Sequence, residues 1–93
     1  MSEHVEITRT GPMEYRAVVR DGLDTTQHRI TMSHAVLDDL LIPDLDTHAV
    51  ARETVKYLLD RESGDELPRE IDLDRLSNHD RAFMTELKAR LTN

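Results

Sequence analysis

The chain changes its hydrophobic period once, at Ser33, and that change decides its fold class. Before Ser33, apolar and polar residues alternate, the period of a half-buried strand. After it, apolar residues recur every three to four positions, as on one face of a helix. A sheet comes first and helices follow, so the chain reads as α+β. In His4-Val5-Glu6-Ile7-Thr8 the alternation is plain, and Thr10-Gly11-Pro12 breaks it. Glu14 to Arg20 places Tyr15, Ala17 and Val19 on one face. Asp21-Gly22 is a turn dipeptide, because glycine tolerates positive φ. Gln27 to Met32 then sets His28, Ile30 and Met32 against Gln27, Arg29 and Thr31. The expectation is a three-stranded antiparallel sheet followed by three or four helices packing on one face.

The helical part is punctuated by caps and breakers. Ser33 is placed to cap a helix over Ala35 to Leu41, with Val36, Leu37, Leu40 and Leu41 as its apolar stripe. Pro43 ends it. Asp44 or Asp46 caps a second helix reaching about Glu62, with Val50, Ala51, Val55, Leu58 and Leu59 inward. Gly64 fits a left-handed C-terminal cap. Ser77-Asn78-His79-Asp80 reads as a capping box for a last helix burying Phe83, Met84, Leu87 and Leu91. With 93 residues the chain has room for one domain, 1–93. Its parts are a β meander over 1–32, a helical pair over 33–62, a linker or short helix over 63–76, and a C-terminal helix over 77–91.

Composition removes several functions. There is no cysteine, so disulfides, thiolate metal sites and a cysteine nucleophile are excluded. The formal net charge is −7, which argues against nucleic acid as a partner. No stretch has the apolar length of a membrane span, and Met1-Ser2-Glu3-His4 lacks the features of a secretory signal. A soluble cytoplasmic protein is expected.

Catalytic chemistry finds little footing. No two histidines stand four apart, as paired metal ligands on a helix do. His34 with Asp38, and the run Asp44-Leu45-Asp46-Thr47-His48, are explained by surface charge and helix capping. Asp38 and Asp39 point to different helix faces and cannot form a dyad. The three glycines are isolated, so no phosphate cradle is expected. The expectation is no enzyme, no cofactor and no metal. The wet face of the sheet is the surface of interest, and Arg16, Arg20 and Arg29 are its candidate contacts to a protein partner or a second copy.

Residues 27–62 resemble the ribbon-helix-helix regulators and antitoxins. The resemblance rests on Gln27-His28-Arg29-Ile30-Thr31-Met32-Ser33, Ala35-Val36-Leu37-Asp38-Asp39-Leu40, and Ala51-Arg52-Glu53-Thr54-Val55-Lys56-Tyr57-Leu58-Leu59. It implies a homodimer whose paired strands enter the major groove, with Gln27, Arg29 and Thr31 reading bases and Thr47 near a phosphate. The whole-chain pattern also resembles small bacterial proteins of unknown function, which implies no activity. The leading expectation is a non-catalytic protein-interaction or regulatory module. A DNA-binding regulator is the alternative.

Overall fold

The computed structural model describes residues 4–92. Three strands lead, β1 (His4–Gly11), β2 (Glu14–Asp21) and β3 (Asp24–Thr31). They pair antiparallel in sequence order. The turn between β2 and β3 is the two residues Gly22 and Leu23, and Gly22 carries φ 65. A positive φ at the first central position is the mark of a type II′ turn, which suits the right-handed twist of a hairpin. Such a turn fixes the phase of the ladder, because its flanking residues, Asp21 and Asp24, form the closing bonded pair. Tyr15, Ala17 and Val19 then bond to β3, while Arg16, Val18 and Arg20 bond to β1.

The sheet is not the expected three-stranded antiparallel one. A fourth strand, β4 (Glu70–Asp72), joins β3 in parallel, so the sheet is mixed, in the order β1-β2-β3-β4. Expected as a linker or a short helix, the 63–76 region takes part in both the sheet and the core. It holds a 3₁₀ turn at Gly64–Glu66, then β4, then the start of a helix, and it buries Leu67, Ile71 and Leu73. The peg that holds it is His28, 3 % exposed on the inner face of β3. Its Nδ1 donates to the Pro68 carbonyl at 2.7 Å, since a carbonyl can only accept. Its Nε2 lies 2.8 Å from the Thr26 hydroxyl, which itself reaches the Gly64 carbonyl at 3.3 Å. Gly64 is not a left-handed cap. It sits where a Cβ would lie 3.1 Å from Val19 Cγ1, and its N–H donates to the Asp21 carboxylate. The space beside β2, rather than backbone freedom, explains glycine there.

Four α segments complete the chain: α1 (His34–Asp39), α2 (Thr47–Leu59), α3 (Leu73–His79) and α4 (Arg81–Thr92). Ser33 caps α1, its hydroxyl accepting from Val36 N–H and donating to Asp74 at 2.7 Å. Leu41 takes φ 54, ends α1 and stays 76 % exposed, so it does not belong to the expected apolar stripe. Asp46, not Asp44, caps α2. Ser77 does not start the last helix. It lies inside α3, and Asp80 instead accepts from Ala82 N–H at 3.0 Å. α2 lies against β1 and β2, and α4 rests chiefly on α2 and α3. The core runs from Tyr15, Ala17, Val19 and Ile30 on the sheet to Val50, Ala51 and Val55 on α2.

A clasp joins α2 to α4. Tyr57 is fully buried, packs edge-on against Phe83, and donates its hydroxyl to Asp80 at 2.5 Å. The Arg61 guanidinium lies 3.9 Å from the Tyr57 ring centroid. Arg90 donates to Asp60 and stands 3.9 Å from Glu53. Burial, then the bond to Asp80, pushes the Tyr57 hydroxyl above its ordinary pKa. The same bond holds the Asp80 carboxyl below its ordinary 3.8, against the opposing effect of burial. Tyr57→Phe removes a bond to a charged acceptor and should cost about 1.5 kcal/mol in urea unfolding. Because the folded pKa of Asp80 is depressed, its stabilisation is present above the ordinary carboxylate value. It is lost as pH falls through the folded value. Asp80→Asn should flatten the acid limb of the stability curve below about pH 4, with little added change between pH 6 and 8. An unchanged acid limb in that variant would place the acid sensitivity elsewhere.

Candidate functional site

The candidate site is the solvent face of the sheet. Its side chains follow from strand alternation: whatever lies between Tyr15, Ala17 and Val19 must point away from α2. Glu6 and Thr8 of β1, Glu14, Arg16, Val18 and Arg20 of β2, and Thr25, Gln27, Arg29 and Thr31 of β3 share this face. The register orders them in rungs. One rung runs Thr8, Arg16, Arg29, Glu70, and the next runs Glu6, Val18, Gln27. Glu14 faces Thr31, and Arg20 stands between His4 and Thr25.

The structure brings two of the three expected arginines together. Arg16 and Arg29 are direct cross-strand neighbours in a non-hydrogen-bonded pair, the closer of the two spacings in an antiparallel ladder. Like charges at that position are destabilising. Arg29 is relieved by carboxylates: its Nε donates to Glu14 at 3.1 Å, and its Nη1 stands 3.7 Å from Glu70. Thr10 holds the other Glu14 oxygen at 3.1 Å. Arg16 and Arg20 have no ion pair among the described residues. They lie four residues apart on one strand face, about 13 Å. Sequence alone put the three arginines on one level. The register separates Arg29, held within its own sheet, from Arg16 and Arg20, which have no carboxylate partner among the described residues.

A groove of about 890 Å³ opens beside these residues, where β3 runs past β4. Glu14, Arg16, Gln27, Arg29, Arg69 and Glu70 line it. It is mixed in charge and suits a polar, extended contact. Arg69 and Glu70 were not expected here, because both lie in the stretch read as a linker or short helix. The alternation Glu70-Ile71-Asp72-Leu73 is the one local signal for them, too short to stand out by itself. Gln27, Arg29 and Thr31 share the face, as expected for the residues assigned to bases. Thr47 is otherwise engaged, its hydroxyl 2.5 Å from that of Tyr15. Among the described residues no three histidine or carboxylate side chains converge to hold a metal. Among the same residues no helix is long and apolar enough to cross a membrane.

The like-charge rung makes a direct test. Arg16→Thr removes the repulsion on Arg29 and sets threonine opposite Thr8. It should stabilise the fold by about 0.3–0.5 kcal/mol, seen as a higher urea midpoint at unchanged slope. A lower midpoint would mean that Arg16 is retained for stability rather than for contact.

Comparison with protein families, with curated proteins and with solved structures finds no match.

Proposed function

We propose that this chain is a non-catalytic interaction module that receives an acidic segment of a protein partner on the solvent face of its sheet. The observation that supports this most is the placement of Arg16 and Arg20. They are exposed, unpaired among the described residues and held at a fixed spacing by β2, beside a rung that keeps two arginines together at a cost in stability. A fork-shaped guanidinium suits a carboxylate better than a lysine would, because it can donate two parallel bonds. The chain as a whole is acidic, so long-range attraction does not bring an acidic partner in. Affinity has to come from contact at the face, and it should be modest and salt-sensitive.

The ribbon-helix-helix reading uses β3 differently, as a strand pairing with its copy in a second chain. Here β3 is paired with β2 along its length and with β4 at Arg29 to Thr31. That arrangement favours use of the face over use of a ribbon.

The test is a titration of isotope-labelled protein with a glutamate-rich peptide, followed by amide shifts. Shifts should concentrate at residues 16–20 and 25–29, weaken between 50 and 300 mM salt, and vanish in the Arg16→Glu/Arg20→Glu variant. Arg29 is left in place, since its reversal would set a carboxylate against Glu14 and Glu70. A lysine-rich peptide giving the same pattern, or no shifts with either, would sink the proposal. A short DNA duplex in the same assay separates the regulator reading, which requires binding that falls steeply with salt.

A further inference from the structure

The two edges of the sheet differ in kind. β4 closes one edge with three residues, whereas β1 leaves the other open over eight. Short edge strands resist pairing with another chain, and long ones invite it. The phase of the ladder says which groups β1 exposes. Arg16, Val18 and Arg20 bond to β1, and their partners there are Thr8, Glu6 and His4. Val5, Ile7 and Arg9 therefore turn their N–H and C=O groups outward.

At the centre of this edge the structure holds a guard. His48, in the first turn of α2, donates from Nε2 to the Ile7 carbonyl at 3.0 Å. The ring is set there by its surroundings. Asp46 accepts from His48 N–H at 3.0 Å, and Tyr15, bonded to Thr47, packs edge-on against the imidazole at 6.0 Å. Arg9 gives the edge no such cover. Its guanidinium folds back onto the Gly11 and Pro12 carbonyls at 3.1 and 3.5 Å.

We infer that the β1 edge pairs antiparallel with the β1 edge of a second copy, centred on Ile7, and that His48 is the latch that competes for its central acceptor. A two-fold axis at Ile7 gives a register with no like charges opposite one another. Centring on Ile7 sets Glu6 opposite the second copy's Thr8, and His4 opposite its Thr10. Centring one residue earlier sets Glu6 against Glu6, and like charges directly opposite destabilise a pair. Centring on Ile7 also lets each Ile7 N–H donate to the other chain's Ile7 carbonyl, the atom His48 holds. The half-buried Ile7 side chains would then meet on the side of the sheet that α2 covers. The edge inference stands apart from the face reading, since charge reversal at Arg16 and Arg20 leaves the outward groups of β1 untouched.

The test is molar mass by light scattering on the full chain across a dilution series, for wild type, His48→Ala, and His48→Ala combined with Thr8→Glu. Freeing the acceptor in both copies should lower the dimer dissociation constant of His48→Ala at least about tenfold below wild type. Thr8→Glu sits on the wet face opposite Arg16, where it suits the folded monomer, and it faces Glu6 of the second copy. It should return the protein to a monomer. Val5→Pro in the His48→Ala background is the second probe, because it deletes an outward N–H that the fold does not use. Circular dichroism of each variant reports that the fold is kept. Equal masses for wild type and His48→Ala at every concentration would overturn the inference. So would a dimer that survives both Thr8→Glu and Val5→Pro.

Discussion

The buried ring of His28 is the constraint on which the rest of the architecture hangs. A meander of three strands can form from local turns alone. The fourth strand cannot, because it arrives in parallel from some forty residues downstream. His28 bonds to the Pro68 carbonyl and, with Thr26, faces the Gly64 carbonyl, so both ends of the 64–68 segment are tied to the inner side of β3. That tether delivers Arg69, whose carbonyl accepts from Arg29 N–H at 2.7 Å and opens the parallel ladder. Once β4 is seated, Asp72 caps α3, Asp74 receives Ser33, and α4 is turned back onto α2. A histidine with both ring nitrogens engaged, shielded from solvent, thus does for topology what a disulfide does in a cysteine-bearing chain.

The two faces of the sheet divide the work. The inner face carries the packing, with Tyr15, Ala17, Val19 and Ile30 each at most 2 % exposed. The outer face is free of that duty and can hold an arrangement that stability alone would disfavour, two arginines on adjacent strands. The carboxylates of Glu14 and Glu70 neutralise one of them and leave the other available. The two arginines of this like-charged pair are therefore not equivalent: Arg29 is held by two carboxylates, and Arg16 has no ion pair among the described residues.

The first half of this architecture was legible in the sequence because its determinants are local. Alternation placed β1, β2 and β3 and assigned every face, including His28 on the inside, and Asp21-Gly22 marked the turn. Ser33 named the start of α1, and the inward positions of α2 were right apart from two omissions. Tyr57 and Thr54 are fully buried, and neither stands among the residues expected to face inward. Tyr57 is tolerated inside because Asp80 takes its hydroxyl, and Thr54 because its own bonds back to the Val50 carbonyl. Such partners lie one turn or one helix away and leave no trace in periodicity. β4 was missed for a related reason. Three residues are too few for alternation to stand out, and parallel pairing has no turn to announce it. At the candidate site, residue types were readable, but not which arginine a neighbouring carboxylate would hold. That depends on register, which a chain reveals only when folded.

The parallel pairing of β3 with β4 also sets an order of assembly. Contacts within the meander close loops of a few residues, so both hairpins can form early and on their own. The β3–β4 ladder must first close a loop of about forty residues, and the entropy of that closure is spent before any bond repays it. For the interval between these events β3 is itself an edge, with Thr25, Gln27, Arg29 and Thr31 showing an uncovered backbone. A chain caught between these events would show two long edges, β1 and β3, where the folded sheet shows one. Its folding yield should depend on how quickly Pro68 finds His28.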